Sequence, residues 1–229
     1  MRGTPLAAAC LIAATAVAGQ QPAVDAKAKS VTVPATVARQ GVYEQLKGAI
    51  EYILVAEGGK EYETVFTTPC TPAAIDQALR RIGLTGGRPA ADGKPPQGQP
   101  VRIRAVYEAD GKAVTRPADA FVAYRKTGKP LDPGTWTFTG STQAYDPARN
   151  QQVLQAALTR SIVGLHHTDA SPLLQNPRAE AAKENIYKAN ADTLPKPGTA
   201  VRLVFQRVMP EVAAGTRRVH VFITGRVQG

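Results

Sequence analysis

Short runs of β-branched and apolar residues, each closed by glycine or proline, recur along this 229-residue chain. The clearest pair covers residues 51–57 and 60–68, which Gly58 and Gly59 separate. Two consecutive glycines suit the positive φ angles of a tight β turn, so the pattern predicts an antiparallel hairpin. In that register Leu54 lies opposite Glu63. A chain that contains such a unit must bury it in a sheet.

Residues 71–83 carry the pattern of one packed helix. Thr71 can cap its first turn, Pro72 suits the first helical position, apolar residues then recur on one face, and Gly83 can end it. A shorter polar helix is predicted over about residues 177–189. Residues 150–167 suit either a helix or a hairpin, and periodicity does not decide between them.

Further strands follow from alternation and turn residues. Residues 101–107 alternate apolar and polar side chains, and Asp110 and Gly111 then form a turn dipeptide. Short strands are also predicted at residues 136–139 and 200–208, and a last one at 219–227. Because strands outnumber helices and the turns favour antiparallel pairing, the sequence predicts an α+β fold that is β-rich with a mostly antiparallel sheet.

The first 18 residues have the form of a signal peptide. Arg2 is followed by an apolar run that ends in a small-x-small sequence at Ala18. We expect cleavage near Ala18 and a periplasmic or secreted mature protein with no transmembrane segment, because about 13 apolar residues are too few to span a bilayer. Residues 19–40 lack an apolar period and are predicted to be a flexible leader.

Two cysteines exclude several classes of protein. A disulfide scaffold, an iron–sulfur cluster and an all-cysteine zinc site each need more thiols. Cys70 is the one cysteine left after the expected cleavage, and it is predicted to be buried. His166, His167 and Asp169 could offer metal ligands, but adjacent strand residues point to opposite faces, so we predict neither a metal nor a cofactor.

Positive charge is concentrated in the second half of the chain. The whole sequence has 28 Lys+Arg and 18 Asp+Glu, and 18 of those basic residues lie in residues 101–229. Arg102 and Arg104 share one face of a predicted strand, and Arg202 lies on a late strand. These three are the predicted ligand-binding residues, for an anionic envelope component or glycan. Aromatic residues do not interleave with them, and export is expected, so no specific nucleic-acid partner is predicted.

Several motifs, taken in chain order, resemble the YdjY domain, a family of mostly exported bacterial proteins. They are Gly-Ala-Ile-Glu-Tyr-Ile-Leu-Val at residues 48–55, Gly-Gly-Lys at 58–60, Trp-Thr-Phe-Thr-Gly-Ser at 136–141 and Asn-Pro at 176–177. The resemblance covers about residues 41–208 and implies a hairpin over residues 150–167. It leaves residues 209–229 as a C-terminal extension that adds a strand, and it supplies no catalytic residue.

Glu63 is the one candidate acid/base. In the hairpin register its face also carries Tyr52, Leu54 and Val65, and burial among apolar neighbours raises the pKa of a carboxyl group. Two hypotheses follow. The first is a non-catalytic, envelope-associated binding module with a basic surface for anionic ligands. The alternative is an envelope-polymer hydrolase or lyase that uses Glu63 as acid/base, with Arg102 or Arg104 holding the substrate.

Overall fold

The computed structural model describes residues 20–38 and 48–209, and within them it contains fourteen strands and two α-helices. The strands are β1 Ala23–Asp25, β2 Ser30–Val37, β3 Tyr52–Ala56, β4 Thr64–Thr68, β5 Gln99–Ala109, β6 Lys112–Pro117, β7 Val122–Tyr124, β8 Trp136–Phe138, β9 Gln143–Asp146, β10 Gln151–Leu154, β11 Ser161–Gly164, β12 Leu174–Gln175, β13 Tyr187–Ala189 and β14 Ala200–Arg207. The helices are α1 Pro72–Arg81 and α2 Gln155–Thr159.

Eight of these strands close into a barrel. Their order around it is β2-β14-β5-β8-β12-β11-β3-β4, and β4 pairs back to β2 through Thr36 with Thr67 and Val37 with Phe66. Two further strands lie outside the barrel: β1 pairs with β2, and β6 pairs with β5. Most pairings are antiparallel, so the predicted β-rich α+β class is confirmed. The closure of the sheet was not predicted.

Side chains fill the inside of the barrel, as expected for eight strands. Every second residue of β2 is buried, and the same alternation runs along β5 and β14. Phe121 is fully buried, and its ring centroid lies 5.2 Å from that of Phe66 on β4 and 6.2 Å from that of Tyr107 on β5. Since β4 and β5 are three positions apart around the barrel, Phe121 links two non-adjacent walls of one core.

Helix α1 confirms the prediction made for residues 71–83. The Thr71 hydroxyl accepts a hydrogen bond from the Ala74 amide at 3.2 Å, and Pro72 is the first helical residue. Gly83 ends the segment with a φ of +88°, which favours glycine. Ile75 and Leu79 are fully buried, so the predicted apolar face packs on the barrel core.

The predicted hairpin around Gly58 and Gly59 is wrong. Strands β3 and β4 pair in parallel, with Tyr52 beside Thr64 and Leu54 beside Phe66. After Gly58 the chain runs back through a 3₁₀ turn at Glu61–Glu63 before β4 begins. Both strands are buried along their whole length, so core packing, not the local turn signal, decides how they pair.

The predicted flexible leader is also wrong over the part that the structure describes. β1 and β2 lie within residues 19–40, and β2 is a barrel strand between β14 and β4. Its buried residues Val31, Val33, Ala35 and Val37 follow the period of two typical of a strand. The predicted signal peptide at residues 1–18 and the predicted strand at 219–227 lie outside the described residues.

Two other segments differ from the predictions. Residues 177–189 contain a 3₁₀ turn at Ala179–Ala182 and then strand β13 instead of a polar helix, because contacts from Arg178 to Asp119 and from Glu180 to Tyr124 hold this stretch against the barrel. Residues 150–167 contain β10, α2 and β11 in succession. They do not form the hairpin that the resemblance implied, since β10 pairs with β9 and β11 pairs with β3 and β12.

Candidate functional site

The three predicted ligand-binding arginines lie on one outer face of the barrel. Arg102 pairs with Gln206, Val204 pairs with Arg104, and Arg202 pairs with Val106 across the β5–β14 ladder. Directly paired residues of an antiparallel ladder project to the same side, so Arg102, Arg104 and Arg202 form a single surface, the arginine face. Neighbouring residues of this face are about 7 Å apart along a strand and about 5 Å apart between strands.

The arginine face has little negative charge to balance it. Arg102 and Arg202 are exposed, and Arg104 is partly buried and donates from Nη2 to Gln206 Oε1 at 2.7 Å. Among the described residues, none of the three forms an ion pair with a carboxylate. The outward residues of the flanking strands are uncharged: Ser30, Thr32, Pro34 and Thr36 on β2, and Ala113, Thr115 and Pro117 on β6.

A groove of about 670 Å³ crosses one end of this face. It is lined by Arg202, by Pro34 and Thr36 of β2, and by Val106 and Glu108 of β5. The groove gives the arginine face a concave end at which one cation, Arg202, and two carboxylates, Glu57 and Glu108, are exposed.

Glu63 lies in a different place, in a cluster with Glu51 and Lys60. The Lys60 ammonium is 2.8 Å from Glu51 Oε2 and 3.4 Å from Glu63 Oε2, and the Glu51 amide donates to the Glu63 carbonyl at 2.9 Å. Partial burial, followed by the charge of Glu51, raises the pKa of Glu63. Burial pushes the pKa of Glu51 upward, but the hydrogen bond and charge of Lys60 outweigh it and lower that pKa. The two carboxyl groups therefore have different proton affinities.

Tyr52, His166 and His167 each bond to a different partner, so these side chains do not meet at one point. The Tyr52 hydroxyl donates to Asp169 Oδ2 at 2.7 Å, and the Lys60 ammonium lies 5.6 Å from the centre of the Tyr52 ring. His166 Nε2 is 3.3 Å from the Ile50 carbonyl oxygen, whereas His167 Nε2 is 2.7 Å from that of Asn176. In the part of the chain that the structure describes, no three histidine, cysteine or acidic residues form a group that could hold a metal ion.

Glu63 lies far from Arg102, at the distant end of the arginine face. The Ala38 amide bonds to the carbonyl of Val65, so Glu63 lies beyond the Val37 end of β2. Gln206 pairs with both Ser30 and Arg102, so Arg102 is level with Ser30 at the other end of β2. Eight residues at about 3.3 Å each separate the two levels by about 26 Å along the strand. The structure therefore does not bring the predicted acid/base together with the arginines predicted to hold its substrate.

Cys70 is buried, as predicted. Its thiol donates to the Gln20 carbonyl oxygen at 2.8 Å, and burial raises the pKa of the thiol.

Sequence reasoning missed Glu51 and Lys60 as partners of Glu63. Both residues lie within the hairpin that was wrongly predicted, and the parallel pairing of β3 and β4 is what places Glu63 beside Glu51. The spacing of Lys60 and Glu63 by three residues is a signal that could have indicated a local ion pair in the 3₁₀ turn.

The YdjY domain family matches residues 23–206 of the chain. The matched range begins with β1 and ends within β14, so it contains almost the whole barrel and starts earlier than the resemblance seen from motifs alone. Comparison with curated proteins and with solved structures gives no match. No helix within residues 20–38 and 48–209 has the length and apolar character that a membrane crossing requires.

Proposed function

The chain belongs to the YdjY family, and we propose that it is an exported, non-catalytic binding module whose arginine face holds an anionic ligand of the cell envelope. The observation that carries the proposal is the placement of Arg102, Arg104 and Arg202 on one outer face with no carboxylate paired to them among the described residues. An arginine that lacks a carboxylate partner remains available to bind carboxylate, sulfate or phosphate groups in two-pronged fashion.

The spacing of the arginines favours a repeating anion over a single one. Arg102 and Arg104 are about 7 Å apart along β5, and Arg202 lies across the ladder at a similar diagonal distance from Arg104. A polymer with one charge per repeating unit presents anions at comparable intervals and can contact all three side chains. Because these side chains are largely exposed, each contact contributes about 0.5 kcal/mol, and three contribute about 1.5 kcal/mol, or tenfold in affinity.

The test measures binding of three polyanions, dextran sulfate, polygalacturonate and polyphosphate, by isothermal titration calorimetry at low salt. The variant Arg102→Gln/Arg104→Gln/Arg202→Gln should lose about tenfold in affinity for the polyanion that the native protein binds. The control variant Arg88→Gln/Lys94→Gln/Lys126→Gln removes the same charge from exposed positions elsewhere and should change affinity much less. Equal losses in both variants, or no binding by the native protein, would contradict the proposal.

A second candidate function, an envelope-polymer hydrolase or lyase with Glu63 as acid/base, is favoured by the Glu51–Lys60–Glu63 cluster. Two carboxyl groups whose environments push their pKa values apart are a common arrangement for a proton donor and a base. The substrate of such an enzyme would bind near β3, away from the arginine face. If Glu63→Gln leaves folding intact and does not change the rate at which the protein degrades any of the three polyanions, this candidate fails.

A further inference from the structure

A second cleft lies between the first turns of α1, strand β10 and helix α2. Its volume is about 790 Å³, within the range of about 300–1,000 Å³ that ligand sites span. We call it the α1 cleft. Its polar lining includes Asp76, Gln77, Gln143, Arg149, Gln151 and Gln152. None of the arginines of the arginine face lines it, and neither does Glu63.

Asp76 supplies an unsatisfied acceptor to this cleft. The residue is 6% exposed, and its Oδ2 accepts a hydrogen bond from Arg80 Nε at 2.8 Å. Its other oxygen, Oδ1, is buried and has no hydrogen-bond partner among the described residues. Buried carboxylate oxygens are almost always hydrogen-bonded, and leaving one unpaired is costly. Asp76 is also one of the residues that line the cleft.

Four glutamines surround the opening of the cleft. Gln77, Gln143, Gln151 and Gln152 are exposed, and none of their side-chain amides has a partner within the described part of the chain. Each amide offers both a donor and an acceptor. A sugar hydroxyl also donates and accepts at once, so adjacent hydroxyls of a glycan can bond such amides in pairs.

The charges that line the cleft are balanced. Arg149 is paired with Asp146 at 2.9 Å, and the Arg160 guanidinium donates to the carbonyl oxygen of Glu57. The carboxylates of Glu57 and Asp76 offset these two cations. A neutral ligand therefore enters without unopposed charge, which distinguishes this cleft from the arginine face. Its apolar lining, Pro69, Val153, Leu154 and Ala157, offers contact for the C–H surface of a sugar ring.

We propose that the α1 cleft binds a neutral glycan of a few sugar units, whose hydroxyl groups donate to Asp76 Oδ1 and bond the amides of Gln143 and Gln152. This site contains none of the three arginines and does not depend on polyanion binding to them, although it shares Glu57 and Pro69 with the groove at the end of the arginine face. An extended peptide laid along β10 is the competing occupant, and the experiment distinguishes the two.

The probes are maltotetraose, cellotetraose and chitotetraose, each titrated into the purified protein by calorimetry up to millimolar concentration. At least one should bind, and Gln143→Ala/Gln152→Ala should weaken that binding at least tenfold. Both positions are exposed, so the double variant should keep its native melting temperature. Gln97→Ala, an exposed glutamine outside the cleft, is the matched control and should bind as the native protein does.

Asp76→Asn provides a second test of the assigned acceptor. It keeps the shape of the side chain, and its binding should also be weaker by tenfold or more, with folding checked by its far-ultraviolet circular dichroism. Oligosaccharide binding that survives both variants would overturn the proposal, as would failure of all three oligosaccharides to bind. A peptide library that yields binders sensitive to Gln143→Ala/Gln152→Ala, while the sugars do not bind, would identify a peptide site and overturn it as well.

Discussion

Replacing Arg178 by alanine should destabilise the protein strongly at neutral pH and much less in acid. Asp119 is 0% exposed, and its Oδ1 accepts from Arg178 Nη2 at 2.8 Å. Arg178 also donates to Asn176 Oδ1 at 3.1 Å, and its guanidinium lies 5.9 Å from the centre of the Trp136 ring. Without Arg178, a buried carboxylate loses its counterion.

The size of the effect depends on how the carboxylate of Asp119 responds to the loss of Arg178. It can stay ionised without a partner, for which measured penalties are about 3–5 kcal/mol. It can also take up a proton, which costs about 4 kcal/mol at pH 7 for a group with an unfolded pKa near 3.9, since each pH unit corresponds to about 1.36 kcal/mol. The same protonation costs only about 1.5 kcal/mol at pH 5. We therefore expect Arg178→Ala to cost about 3–5 kcal/mol at pH 7 and about 2–3 kcal/mol less at pH 5.

The raised pKa of Asp119 in the native protein predicts the same direction of pH dependence. Burial raises the pKa of Asp119, and the hydrogen bond and charge of Arg178 offset only part of that rise. A carboxyl group with a higher pKa in the folded state destabilises the fold above that pKa, and the penalty is absent below the unfolded pKa. Removal of Arg178 raises the folded pKa further, so the penalty at neutral pH grows.

The assay is urea unfolding followed by Trp136 fluorescence at pH 7 and pH 5. Lys129→Ala is the matched control, because Lys129 and Asp132 form an exposed pair at 3.4 Å, and it should cost less than about 1 kcal/mol at both pH values. Asp119→Asn/Arg178→Gln should recover part of the loss, since no buried charge remains. A cost of Arg178→Ala that is the same at pH 7 and pH 5 would refute the reasoning.

Three further predictions concern the core, the carboxylate cluster and the thiol. Phe121→Ala should cost about 3–5 kcal/mol in guanidinium unfolding, because it opens a cavity between Phe66 and Tyr107, and a cost under about 1 kcal/mol would contradict its place in the barrel. Glu51→Gln should lower the pKa of Glu63 in a carboxyl-detected NMR titration, because it removes the neighbouring negative charge; an unchanged or higher value would argue against the cluster. Cys70 should react with a thiol reagent slowly in the native protein and quickly in urea, and fast reaction of the native thiol would show that it is not buried.

Local signals in the sequence were enough for the elements whose structure is decided locally. The cap at Thr71, the proline that follows it and the positive φ of Gly83 define α1 without reference to the rest of the fold. The turn at Asp110 and Gly111 and the alternation before it define the β5–β6 ladder. The order of the motifs also indicates the family, whose match over residues 23–206 begins earlier than the motifs do.

Long-range packing determines the structure of the elements that were wrongly predicted. Strands β3 and β4 are buried on both faces, so no alternation marks their register, and the glycine pair between them suggested a hairpin. Strand β2 carries the apolar alternation Val31, Val33, Ala35 and Val37, so the prediction that residues 19–40 lack an apolar period was wrong there. The closure of β4 onto β2 joins segments about 30 residues apart, and no local pattern indicates such a contact.

The candidate site, too, has one part that the sequence predicts and another that only the tertiary structure brings together. That Arg102 and Arg104 share a face follows from the strand period, and Arg202 joins them only through the ladder between β5 and β14. Glu51 comes beside Glu63 only through the parallel pairing of β3 and β4. The lining of the α1 cleft comes together through tertiary structure, since β10 and α1 are at least 70 residues apart in the chain.

The most direct test of the proposed anion-binding function is a nitrogen-15 NMR titration that follows the Nε–H signals of the arginine side chains as polygalacturonate, dextran sulfate or polyphosphate is added. The account predicts that one of these polyanions shifts the signals of Arg102, Arg104 and Arg202 together, at the same concentration, and leaves Arg88 and Arg125 unchanged. Shifts spread evenly over all exposed arginines, or confined to residues outside the arginine face, would contradict it.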